Sequence, residues 1–146
     1  MTLASERELY APVLLYMERC RWIGAGSIVA EEIPLSGRRI DCAVLTRSGR
    51  LLSIEFKLTD VGRVLWQATL NTHFFDRSIV ALRSRASAHA IERARLAGVE
   101  IISRSGSKYT RVCSSDWERP PRAVRDRVIA KVQDRGVCWG DYVRQL

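Results

Sequence analysis

Three charged residues sit where charge is costly. In residues 38–58, RRIDCAVLTRSGRLLSIEFKL, two apolar strand-like runs flank a turn, yet Asp41, Glu55 and Lys57 lie inside the runs. A charge embedded in a strand must face water, pair, or bind something. Alternation along 51–58 sends Leu52, Ile54, Phe56 and Leu58 to one side and Ser53, Glu55 and Lys57 to the other. The side taken by Asp41 depends on the turn. A two- or four-residue loop sets it opposite Phe56, on the wrong face. A three-residue loop, Arg47-Ser48-Gly49, pairs Thr46 with Arg50 and so Asp41 with Glu55. That loop wants glycine at its last position, where φ is positive, and Gly49 is there. Two carboxylates across a strand pair repel, and a divalent cation relieves the repulsion. Hard ions such as Mg²⁺, with Mn²⁺ as a substitute, take one or two carboxylates plus water and phosphate oxygens. Lys57 could then hold a water or stabilise charge on a phosphate, and the chemistry is phosphodiester hydrolysis. Spacing alone leaves a second reading open: a solvated Glu55–Lys57 ion pair on an exposed sheet face.

The elements that must position these residues follow from periodicity. Residues 5–19 read as a helix, with Ser5 and Glu8 in a capping-box pattern and Leu9, Val13 and Met17 at helical spacing. Pro12 is awkward inside it, so the helix begins near Pro12 or kinks there. Strands are expected at 27–33, ended by Pro34, and at 39–46 and 51–58. A helix is expected at 61–75, a strand at 78–82, and a helix at 87–96 ended by Gly98. Strands at 99–103 and 108–113 follow. Consecutive strands first and alternating helices later predict an α/β fold, one mixed sheet with helices packed on it. Trp117 to Pro121 mark a boundary, giving a core over 1–119 and a C-terminal helical extension over 120–146 packed on the same domain. In the extension, 122–135 is a basic amphipathic helix whose Val124, Val128 and Val132 could mediate dimerisation.

The chain has 146 residues, one ordinary domain by length, and 47% are hydrophobic, enough for a core. No apolar run reaches membrane-spanning length and the first residues lack a signal-peptide layout, so a cytoplasmic protein with no membrane partner is expected. Four cysteines without a C-x-x-C pair argue against structural zinc and are read as buried, reduced thiols. The net charge of +8 favours an anionic partner, nucleic acid above all. Arg38, Arg39, Arg47, Arg50 and Arg63 surround the acidic residues in sequence and could meet backbone phosphates.

"IDCAVL" followed by "IEFKL" resembles the PD-(D/E)XK nuclease superfamily, with an aspartate on one strand and E-x-K on the next. "ERELY" and "LWQATL" are similar to two further marks of its Holliday-junction-resolvase-like branch. The resemblance covers residues 5–103, and Ile40 stands where the family's literal proline would be. It implies a restriction-endonuclease-like mixed sheet flanked by helices. It also implies metal binding by Asp41, Glu55 and the main-chain carbonyl of Phe56, with Glu6 as a further acid. Lys57 would serve the attacking water, and Gln67 would assist. The implied activity is Mg²⁺-dependent hydrolysis of DNA, structured or branched, by a homodimer. Alternatives are a restriction, defence or repair nuclease of the same fold, and a non-catalytic nucleic-acid-binding protein on that scaffold. Glu8 is expected to be solvated, because residues two apart on a helix lie about 200° apart and only one can face the site.

Overall fold

The computed structural model describes residues 5–59, 61–115 and 119–146. A 3₁₀ turn (Glu6–Leu9) leads into α1 (Tyr10–Arg19), followed by β1 (Ile28–Leu35), β2 (Arg38–Leu45), β3 (Leu51–Lys57) and α2 (Val61–Asn71). Then come β4 (Arg77–Leu82), α3 (Ala88–Ala97), β5 (Glu100–Ser105), β6 (Lys108–Cys113), α4 (Arg122–Arg135), β7 (Val137–Cys138) and α5 (Trp139–Val143). The strands form one sheet in the order β6-β5-β4-β3-β2-β1-β7, so β3 is its middle strand. The pairs β3–β4 and β4–β5 are parallel and the rest antiparallel, as a hairpin-then-crossover order of elements requires.

Alternation along the strands feeds a core on each face. Val44, Ile54, Phe56 and Ile79 pack under α1 against Val13, Leu14 and Met17. On the opposite face Val80, Leu82 and Ile101 meet α2 and α3, and Ala43, Leu45 and Ile33 meet Val128 and Val132 of α4. Those two valines are therefore core residues and are not available to a dimer interface.

Several local expectations are corrected. Pro12 sits in the first turn of α1, where its missing N–H is harmless, and the helix does begin there. Ser5 makes no side-chain cap bond. Pro34 does not end β1 but lies within it, opposite Arg39, on a stretch paired only with β2, where a missing donor costs nothing. α2 stops at Asn71, four residues early, and His73 lies exposed in the following turn. Cys42 and Cys113 are buried, but Cys138 is exposed and Cys20 half-buried. No helix among the described residues is long and apolar enough to cross a membrane. Trp117 and Glu118, at the expected boundary, lie outside the described residues.

Two buried charge clusters brace the sheet. Arg77 and Glu100 are joined by two 2.6 Å hydrogen bonds with almost no solvent exposure. Asp76, fully buried, accepts from Leu51 N (2.8 Å) and from Nε and Nη2 of Arg125 (3.0 and 2.9 Å), while Nη2 also donates to the Gly49 carbonyl (2.8 Å). One arginine of α4 thus ties the β2–β3 turn to the start of β4. Arg125→Ala leaves a buried carboxylate short of its cation and is expected to cost about 3 kcal/mol, read by urea denaturation. A cost within experimental error would show that Leu51 N and water suffice.

At the last residues of α4 the chain lies hard against β1. A Cβ on Gly136 would come within 2.4 Å of Ile28 Cγ2 and 2.5 Å of the Val132 carbonyl. Only glycine permits that approach, and it lets Val137 and Cys138 pair with Val29 and Ile28.

Candidate functional site

The turn between β2 and β3 has the three-residue form. Thr46 N donates to Arg50 O (2.8 Å), Gly49 N donates to Thr46 O (2.9 Å), and Gly49 has φ +89°. The ladder runs from Leu45–Leu51 to Cys42–Ile54, which sets Asp41 across from Glu55. There it opens. Phe56 N, the next donor toward β2, goes to Asp41 Oδ2 (2.9 Å) instead of a main-chain carbonyl. In a strand, a residue's N–H and C=O point to the same neighbour, so the Phe56 carbonyl is directed into the same gap. On the other face the Phe56 ring is stacked on Tyr10, centroids 3.9 Å apart, which fixes this end of β3.

Opening the ladder has a backbone counterpart. Ile40 packs in the same cluster as Ala43 and Leu45, so alternation breaks at Asp41. Asp41 falls opposite Glu32 in the β1–β2 register, and Glu32 has φ +55°, unusual for a residue with a side chain. Strained backbone held by its surroundings concentrates at functional sites.

Glu55 is 3% exposed and Asp41 is half-buried. Burial, then the charge of Asp41, pushes the Glu55 carboxyl up to about 8. Burial likewise raises Asp41, against the Phe56 N–H that favours its ionised form. The charge of Asp41 thus makes Glu55 the carboxyl that keeps its proton longer.

Around the pair, Asn71 Nδ2 donates to Glu55 Oε1 (3.1 Å) and Arg38 Nη2 donates to Asn71 Oδ1 (2.9 Å). Because arginine can only donate, this fixes the amide's orientation. Asn71 is fully buried and was not anticipated from the sequence; it lies one helical turn beyond Gln67, on the same side of α2. Gln67 is half-buried at this face, and its main-chain carbonyl accepts from Arg38 Nη1 at 3.4 Å. Asn71→Ala should strand Glu55 Oε1 without a donor and cost about 1–3 kcal/mol in thermal or urea melts. A cost below about 0.5 kcal/mol would deny Asn71 its role in holding Glu55.

Lys57 Nζ lies 3.3 Å from Glu6 Oε1, and Glu8 is exposed. Glu6 is thus paired with Lys57, and its charge also acts on Asp41, helping to raise that carboxyl. Among the described residues, no group of three or more His, Cys, Asp or Glu side chains gathers as a metal site. Glu31, at the next strand, is held by Arg7 and by Tyr142, whose hydroxyl donates at 3.0 Å.

The five arginines do not ring one site. Arg38 stands at the carboxylates, Arg39 pairs with Glu32 (3.6 Å), and Arg63 is exposed on α2. Arg47 and Arg50 flank the far turn, Arg50 five residues before Glu55, about 17 Å at 3.3 Å per residue.

The chain is similar to the solved structure of SPO1766, a protein of unknown function from Silicibacter pomeroyi. The TM-score is 0.66 at 20% identity, over 92% of this chain and 87% of that one. At that identity the likeness shows the fold alone: an α/β protein with a mixed sheet flanked by helices. No family model and no curated protein matches the chain.

Proposed function

We propose that the protein is a metal-dependent nuclease that hydrolyses phosphodiester bonds in DNA, with structured or branched DNA as substrate and a homodimer as the cutting unit. The observation that carries this reading is the opened end of the β2–β3 ladder, where Asp41 and Glu55 are matched across the strands with Lys57 on the same face. A buried pair of carboxyls whose charges oppose each other is an all-oxygen, hard donor set, and a divalent ion such as Mg²⁺ or Mn²⁺ would relieve that opposition. Asp41, Glu55 and the Phe56 carbonyl would hold the ion, which when bound supplies Lewis acidity toward a phosphodiester. Asn71 keeps Glu55 aimed at the gap, with Arg38 behind it. Lys57, on the same face of the strand two residues from Glu55 and paired with Glu6, would donate to a water or to a phosphate oxygen as charge develops there. A restriction, defence or repair role is the same chemistry on another DNA.

The Lys57–Glu6 pair favours a second reading, a nucleic-acid-binding protein that does not cut, since that pair occupies the lysine. One experiment separates them: incubation with four-way junction, flap, linear duplex and single-stranded DNA in Mg²⁺, Mn²⁺ or EDTA. Cleavage with either ion and none with EDTA is the expected result. Binding without cleavage of any substrate would leave the second reading.

A further inference from the structure

At the end of β3 remote from the carboxylates, the segment after α1 and the β2–β3 turn form an open cleft of about 730 Å³, sharing lining residues with a second of about 240 Å³. Together they are lined by Arg21, Arg47, Arg50, Arg77 and Arg111 around Trp22. The guanidiniums of Arg77 and Arg111 lie 4.5 and 4.9 Å from the Trp22 ring centroid. Among the described residues two carboxylates oppose these five cations: Glu18, which accepts from the Trp139 indole, and Glu100, buried beneath against Arg77 and Arg111. The balance of these described residues is positive.

One backbone feature shows that an arginine is placed at a cost, and a second shows how closely another is packed. α1 ends in a Schellman turn, with Arg21 N donating to Glu18 O (2.9 Å) and Trp22 N to Met17 O (3.0 Å). The left-handed position of such a turn is normally glycine, yet here it is Arg21, at φ +62°. Across the cleft, the Arg47 stem lies on Gly26, whose Cβ, if present, would be 3.0 Å from three of its carbons. Gly26 itself has φ +87°, so the cost is seen at Arg21, where an arginine stands at a position glycine would ease.

We propose that this cleft binds backbone phosphates of nucleic acid, as an anchoring site separate from the Asp41–Glu55 pair. Arg21, Arg47, Arg50 and Arg111 are exposed, which suits a strand passing over the surface; a small-molecule site would bury most of its ligand. Guanidiniums pair with phosphate oxygens bidentately, and such pairing gives affinity and register without sequence readout. The proposal rests on the nucleic-acid part of the function above and not on cleavage.

The test is anisotropy binding of a labelled duplex in EDTA over a salt series, so catalysis plays no part. Arg21→Gly and Arg47→Ala should each weaken binding and lower the slope of log K against log salt by about 0.9, the value for one phosphate that is no longer neutralised. Arg127→Ala, which removes the same charge from the exposed side of α4, should leave the slope unchanged. Arg21→Gly should at the same time raise Tm, since glycine is at ease at positive φ. Unchanged slopes in both cleft variants, or an equal fall in Arg127→Ala, would overturn the proposal. So would competition by inorganic phosphate or a mononucleotide at concentrations near that of the protein, which would make the cleft a small-ligand pocket.

Discussion

Asp41→Asn and Glu55→Gln are each expected to take DNA cleavage to background while the protein stays folded. Both replacements keep the local hydrogen bonds: an asparagine can still accept from Phe56 N, and a glutamine can accept from Asn71 and donate to Asp41. Under the proposed reading, what each removes is one of the two carboxylates that would hold the ion. Lys57→Met should act more weakly, by about 10²–10³ in rate, the usual cost of one donor to developing charge. It also frees Glu6, so Glu6→Gln with Lys57 intact is the informative partner. If Glu6→Gln raises the rate, Glu6 restrains the lysine; if it lowers it, Glu6 positions it. Rates of both carboxylate variants equal to wild type, with the same ion dependence, would remove the site from the reaction altogether.

The second large effect is on stability against pH. Glu55 is held protonated in the fold up to about 8, while in the unfolded chain it ionises at its ordinary 4.5. Between those values the folded state binds the extra proton, so unfolding releases one and stability falls as pH rises. This contribution is fully present below pH 4.5 and lost on passing through about 8. The slope for one proton is at most about 1.4 kcal/mol per pH unit. Urea melts of the metal-free protein at several pH values should show the decline, and Glu55→Gln should flatten it, becoming the more stable protein at pH 8. Added Mg²⁺ should restore the wild type at high pH and do nothing for the variant. Parallel pH profiles for wild type and Glu55→Gln would show that Glu55 carries no abnormal proton.

Much of this site was legible because it is local. Gly49 fixes a three-residue turn, the turn fixes register, and register sets Asp41 against Glu55 within fifteen residues of chain. Asn71 was missed because it lay inside a helix expected to run on to residue 75, where a lone polar side chain is ordinarily read as solvated. The signal was its spacing of four from Gln67, which puts it on the face already assigned to the site. Arg125–Asp76 and Arg77–Glu100 join residues 49 and 23 apart, and no period in the sequence links such partners. The break in alternation at Asp41 was hidden for a different reason. The carboxylate's side chain replaces a ladder bond, so the strand pattern fails at the residue that does something other than pair. β7 has two residues, too few for any periodicity to register.

That two-residue strand has a colloidal consequence. β1 is the last long strand on its side of the sheet, and Val137–Cys138 pair with its first two residues. An unpaired row of amides on an apolar strand is a template for other chains. Gly136 is what lets the guard sit flush, and Pro34 and the Lys131 ammonium on the Pro34 carbonyl blunt the rest of that edge. Gly136→Val would pry the guard away without touching the carboxylates. The protein should then self-associate strand to strand as its concentration rises, seen by light scattering, before it loses any secondary structure; a variant that stays monodisperse would show that the edge needs no guard.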